Sequence, residues 1–233
     1  MVLCGLQTLS MVDYPGKLAA TVFTGGCNLR CPFCHNALLV TRLDETPRLD
    51  EGEVLDFLRS RRGLLDGVVL SGGEPLLQPD AADFLRRVRA LGFAVKLDTN
   101  GCFPDHLAAI LEAGLADYVA MDLKNRREKY PETVGIPGFD TAPVEESVRL
   151  LMRGTVDFEF RTTLVRELHA PGDAAAIGAW VRGAPRYYLQ NFVDSGNLIQ
   201  SGFHGFTVPD LQDFAAEAAP FFGQVELRGT DDM

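Results

Sequence analysis

No run of residues approaches the ~20 consecutive apolar positions that a membrane-crossing helix needs. The first residues, "MVLCGLQTLSMVDYPGK", contain no basic region leading into an apolar core, so neither a membrane span nor a signal peptide is expected, and the expected compartment is the cytoplasm. Positive charge is in deficit: 22 Lys and Arg stand against 32 Asp and Glu, a formal net charge of -10. Such a chain has no general attraction for a phosphate backbone, so nucleic acid is not an expected partner. The one basic stretch, "LKNRREK", reads as a solvated polar loop. Ser- or Pro-rich linkers, low-complexity tracts and charge blocks are missing, and 233 residues suffice for one well-buried domain but are few for two. One domain over 1–233 is therefore expected. Cysteine is sparse, with five residues, yet three of them fall within "CNLRCPFC". In a reducing compartment such a cluster holds a metal or does thiol chemistry more often than it forms disulfides.

The rest of the chain alternates between short runs rich in Val, Leu, Phe and Tyr and longer amphipathic segments. Strands are expected over 17–24, 67–72, 94–101, 117–124, 156–165 and 186–192, with a short last strand over 224–229. Helices are expected over 50–62, 79–92, 104–114, 142–154, 171–183 and 209–219. Asp50 is placed as an N-cap with Glu53 at the capping-box position, and Gly92 as a helix stop. Alternation of this kind builds right-handed βαβ units on a parallel sheet. Six or so units fit an α/β barrel-like sheet, closed or partial, whose chemistry sits at the C-terminal ends of the strands. The notable polar residues fall there. Cys27 to Cys34 follow the first expected strand, Gly72 to Glu74 the second, and Asp98 to Asn100 end the third. Asp122 and Lys124 end the fourth, Arg161 lies late in the fifth, and Gln190 late in the sixth.

Cys27, Cys31 and Cys34 have the spacing C-x3-C-x2-C. Three thiolates hold three irons of a [4Fe–4S] cubane and leave the fourth iron open, as a catalytic zinc keeps one position open. Gly25 and Gly26 permit the backbone angles of a tight wrap. Zinc with His35 as fourth ligand is a second reading, against which His35 stands directly beside Cys34; a redox pair or structural thiols is a third. Cys4 and Cys102 are isolated and read as small buried residues. In "SGGEP", a Gly-Gly turn lets the backbone approach a ligand and Glu74 can accept from an ammonium group, although the same residues also make a common turn. Asp98 in "KLDTNG" either accepts from ribose hydroxyls or closes an Asx-turn before Gly101. Asp122 and Lys124 share one side of a strand by period 2, as ligand contacts or as a structural ion pair. Arg161, set among apolar and hydroxyl residues in "FEFRTTLV", needs an anionic partner.

"CNLRCPFC" resembles the signature of the radical S-adenosylmethionine (SAM) enzymes. The resemblance implies that the three cysteines hold one [4Fe–4S] cluster, that SAM chelates the open iron, and that Phe33 lies near the adenine. It implies that an electron from the cluster cleaves SAM to methionine and a 5′-deoxyadenosyl radical, which takes a hydrogen atom from the substrate. "SGGEP" matches the family's second motif, in which the backbone at Gly72 and Gly73 and the Glu74 carboxylate hold the methionine amine; Arg161 is then a candidate for the SAM carboxylate. "LDTNG", "MDLK" and the His35–Asn36 pair resemble the glycyl-radical-enzyme activases. That group implies a partial, TIM-like (β/α)6 barrel in which Asp98, Thr99, Asp122 and Lys124, with the backbone around Met121, contact SAM and form a monovalent-cation site nearby. The block over 7–36 and "LQNF" are similar to the activating proteins of anaerobic (class III) ribonucleoside-triphosphate reductase. The implied partners are that reductase, whose glycine Cα hydrogen is abstracted, and a flavodoxin- or ferredoxin-type electron donor. Such abstraction needs no general base, in keeping with only four histidines. Two departures stand out. The segment after Cys34 contains no cysteine-rich insert, and "LQNFVDSGN" carries no histidine where a SAM-contacting one is placed in pyruvate formate-lyase activase, leaving Gln190 or Asn191 as substitutes. A radical SAM enzyme acting on another glycyl-radical enzyme, a small molecule or a peptide is the alternative within the superfamily. A non-enzymatic iron–sulfur or zinc module is the alternative outside it.

Overall fold

A computed structural model describes residues 1–229; residues 230–233, the end of the expected domain, lie outside the described part. The chain opens with β1 (Leu3–Ser10), which pairs antiparallel with β2 (Ala19–Thr24). Helices α1 (Ala37–Thr41) and α2 (Glu51–Ser60) lead to β3 (Gly67–Gly72), and α3 (Ala81–Ala90) to β4 (Ala94–Thr99). Helix α4 (Pro104–Glu112) leads to β5 (Tyr118–Asp122), and α5 (Tyr130–Thr133) with α6 (Ala142–Met152) to β6 (Asp157–Leu164). Helix α7 (Asp173–Trp180) precedes β7 (Arg186–Asn191), and α8 (Val208–Ala218) precedes β8 (Gln224–Arg228). The sheet order is β1 to β8 in sequence, and every pair from β2 to β8 is parallel. Strands β1 and β8 are its two edges and do not pair with each other. The result is a partial (β/α)6 barrel, open along one seam.

The expected strands and helices form, several of them shorter by a few residues at the ends. Their sequences explain them. On α3, Phe84, Leu85 and Val88 are buried while Arg86 and Arg87 face solvent. Asp50 caps α2, its Oδ1 accepting from the Glu53 N–H at 3.0 Å. Gly92, at φ +94°, ends α3. Along the parallel strands the period of two separates two environments. Phe158 and Phe160 of β6 join the apolar layer under the helices, whereas Arg161 and Thr163 point into the barrel. The interior is therefore polar, which the apolar look of these strands conceals.

Two expectations need correction. Strand β1 was not anticipated: most of its residues are half-buried or exposed, so it carries no core-facing pattern to read. "LKNRREK" is not a free solvated loop. Arg126 and Lys129 both pair with the buried Asp173, at 3.2 and 2.6 Å, and Arg127 pairs with Glu145 at 3.2 Å.

Candidate functional site

The cysteine loop leaves the top of β2. Gly26, at φ +89°, turns the chain, and its N–H donates to Leu39 O at 2.8 Å. Further on, Arg30 N–H donates to Val134 O at 2.9 Å and Cys34 N–H to Cys31 O at 3.0 Å. Cys27, Cys31 and Cys34 are unbridged and line one cavity of about 430 Å³. Burial pushes the Cys27 thiol up to about 11 and the Cys31 thiol up to about 12, and raises Cys34 as well. Each is a neutral thiol until a metal deprotonates it. Among the described residues no group of three or more His, Cys, Asp or Glu side chains is gathered as a single metal ion requires. That geometry offers no ready zinc site. A cubane puts each thiolate on a different iron, so its ligands need not converge on one point, and soft thiolates are the donors it takes. The residues present fit a cluster. The His35 ring packs against Phe192, centroids 5.2 Å apart, and burial, followed by Lys124, lowers its pKa.

"SGGEP" is laced into that loop. Gly73 N–H donates to Thr24 O and Glu74 N–H to Gly26 O, both at 2.9 Å, and Asn36 Nδ2 donates to Gly72 O at 2.9 Å. A Cβ on Gly73 would lie 1.9 Å from Gly26 O, so no larger residue fits there. Glu74 is 1% exposed. Its Oε1 accepts from Leu76 N–H at 3.0 Å and Thr99 Oγ1 at 2.7 Å, and its Oε2 from Asn100 N–H at 2.7 Å. A carboxylate offers about four acceptor positions, so one remains on Oε2. Burial outweighs these donors and raises Glu74 to about 7.

Further along the barrel wall five charged side chains alternate in sign. Lys96 Nζ donates to Asp98 Oδ1 at 2.6 Å; Arg161 reaches Asp98 Oδ2 at 3.4 Å and Asp122 Oδ1 at 3.0 Å; Lys124 Nζ donates to Asp122 Oδ2 at 2.8 Å. The anionic partner that Arg161 needs is thus present within the chain. Burial alone would push Asp122 up, but Arg161 and Lys124 hold it down at about 2; in turn burial would lower Lys124 and Arg161, and the carboxylates raise both.

Every expected site residue lines the same cavity: the three cysteines, Phe33, Gly72, Gly73, Glu74, Asp98, Thr99, Asp122, Lys124, Arg161 and Gln190. Phe33 is buried, edge-on to Phe192 and Phe203. Of the two candidates at the sixth expected strand, Gln190 faces the cavity, whereas Asn191 exchanges hydrogen bonds with the Phe206 backbone at 3.1 and 2.9 Å. Asn36 of the His35–Asn36 pair also lines the cavity, as do Ser71, Thr163 and Asp13, which were not anticipated. Asp13 accepts from Thr21 Oγ1 at 2.7 Å. Its Pro15–Gly16 neighbours signal a turn, but not that the turn folds back into the barrel. A second cavity of about 520 Å³ adjoins the first along the open seam, sharing Asp13, Asp98, Arg161 and Gln190 and reaching Val12 and Arg228.

The radical SAM superfamily model matches residues 21–169. A Methanocaldococcus jannaschii protein, provisionally named a glycyl-radical enzyme activating enzyme, is 35% identical over 96% of this chain and 94% of its own. A 7-carboxy-7-deazaguanine synthase of Methanopyrus kandleri is 31% identical over 76% of this chain and 74% of its own. Among solved structures, a domain of pyruvate-formate lyase-activating enzyme from Bacteroides vulgatus superposes with a TM-score of 0.57 over 70% of this chain and 99% of that one; at 16% identity this likeness concerns the fold alone. The sequence match, the barrel and the three-thiol cavity agree: the chain belongs to the radical SAM superfamily of enzymes.

Proposed function

We propose that the protein is a glycyl-radical-enzyme activase, that its partner is an anaerobic ribonucleoside-triphosphate reductase, and that residues 1–233 form one radical SAM domain acting in the cytoplasm. The observation that carries this reading is the single cavity onto which the three thiols, the Glu74 acceptor and the Asp98–Lys124 charge ladder converge from five strands, with an adjoining opening along the seam. When bound, a [4Fe–4S] cluster supplies one electron for the reductive cleavage of SAM, whose adenosyl fragment takes a glycine Cα hydrogen from the partner.

The chain's own residues do the holding. Cys27, Cys31 and Cys34 would hold the cluster through their thiolates. The free acceptor position on Glu74 Oε2 and the backbone at Gly72 and Gly73 receive the SAM ammonium. Asp98 and Thr99 face the ribose, Phe33 the adenine, and Gln190 stands in for the histidine this chain lacks. Lys124 and Arg161, which line the cavity, would meet the SAM carboxylate. A flavodoxin- or ferredoxin-type protein supplies the electron.

The test is anaerobic reconstitution with candidate glycyl-radical proteins, followed by electron paramagnetic resonance (EPR). A glycine Cα doublet on the ribonucleotide reductase is expected. A doublet on a different partner alone would remove the partner assignment and leave the activase class. Formation of 7-carboxy-7-deazaguanine when its precursor is supplied, with no glycyl radical on any partner, would move the chain to the chemistry of its second relative.

A further inference from the structure

Asn100 falls at the end of the third expected strand among the notable polar residues, but the sequence gives it no role of its own. In the structure it is 5% exposed, and every polar atom of its side chain has a partner. Its Oδ1 accepts from Cys102 N–H at 2.9 Å. That bond fixes which way the amide faces, because the opposite orientation would set an NH2 against an N–H. The Nδ2 group therefore points at the cysteine loop. It donates to Asn28 Oδ1 at 2.9 Å and reaches Cys27 Sγ at 3.8 Å. The backbone N–H of the same residue donates to Glu74 Oε2 at 2.7 Å. One residue thus touches a cluster cysteine with its side chain and the carboxylate of "SGGEP" with its backbone.

We propose that Asn100 is a positioning residue which, by donating a hydrogen bond to the Cys27 sulfur, raises the reduction potential of the cluster. The proposal rests on the reading of Cys27 as a cluster ligand. Electron density on a thiolate sulfur increases when the cluster takes an electron, so a donor aimed at that sulfur stabilises the reduced state. Leu29 N–H also donates to Cys27 Sγ, at 3.4 Å, but as a backbone group it is set by the loop itself. Asn100 belongs to a different strand end and so couples this sulfur to the position of Glu74.

The test uses cluster-loaded, SAM-free protein and a potentiometric titration followed by EPR. In Asn100→Ala and Asn100→Asp the potential is expected to shift to more negative values with iron content per chain unchanged. Asn28→Ala leaves the Asn100 donor in place but removes an acceptor that Asn100 Nδ2 shares with the Cys27 sulfur, and is expected to shift the potential less than Asn100→Ala does. Equal potentials in the wild type and both Asn100 variants overturn the proposal. So does a shift in Asn28→Ala as large as that in Asn100→Ala, since the shape of the loop would then be responsible. If the Asn100 variants do not retain iron, pulsed EPR of reduced wild-type and Asn28→Ala protein, grown with asparagine labelled with heavy nitrogen in its side chain, decides the matter. A weakly coupled amide nitrogen in both sustains the proposal; its absence overturns it. A protein that shows the shift but never forms a glycyl radical on any partner would lose the activase reading and keep this one.

Discussion

Glu74 shows how a single side chain joins folding to ligand binding. Its carboxyl, raised by burial from an ordinary ~4.3 to about 7, is part protonated near neutrality. An ammonium ligand binds the ionised form only. SAM affinity of the loaded protein, measured by calorimetry, is therefore expected to rise with pH toward about 7, by up to about tenfold per unit, and Glu74→Gln should weaken binding and flatten that dependence. A flat profile in the wild type would take Glu74 out of the amine site. The charge ladder shifts its carboxylate the other way, so the same upward trend with pH falls in a lower window. Asp122 is held at about 2, below its unfolded value, so its contribution to stability is fully present above about pH 4 and is lost as pH falls toward 2. Asp122→Asn leaves Lys124 without its partner and Arg161 with Asp98 alone, and is expected to cost about 2 kcal/mol in urea denaturation at neutral pH. At this scale the sequence was legible in part. The residue types at strand ends named the participants. That Arg161 finds its counter-ions on β4 and β5, or that Glu74 spends three acceptor positions on its own chain, depends on register between strands that are far apart in sequence.

Among the elements, the decisive join is between the loop after β2 and the loop after β3. Three hydrogen bonds and the Gly73 approach fasten the cysteine loop to "SGGEP" before any ligand is present. Gly73→Ala is expected to cost about 3 kcal/mol and to lower iron loading together with melting temperature, because the new methyl group has only backbone to push against. Gly63→Ala makes the contrast. Gly63 has φ +76° with nothing within 4 Å of a Cβ, so only backbone strain is added, about 1 kcal/mol with loading unchanged. Equal effects of the two substitutions would show that packing between the loops is slack. The helices and parallel strands could be read from period and caps because each buries a continuous apolar face. Strand β1 could not, since an edge strand with three exposed residues in a row has no such face.

For the molecule as a whole, three thiols with pKa values raised by burial mean that loading the site releases protons. At fixed iron and sulfide the loaded fraction, followed by visible absorbance, is expected to fall between about pH 8 and about pH 6; a constant fraction would argue that the thiols are not the ligands. The overall charge of -10 makes an acidic electron donor a poor long-range match, so any such complex must be built from short-range contacts. The open seam between β1 and β8 has a further consequence. A closed barrel would leave the strand-end mouth as the sole route to the cavity, whereas here a side entrance leads past Asp13 and Arg161 to the same chamber. Dioxygen needs no recognition to use it. If the proposed cluster fills that chamber, the lifetime of the loaded protein in air depends on the seam as well as on the strand-end mouth, and a partner seated across the opening would act as a shield.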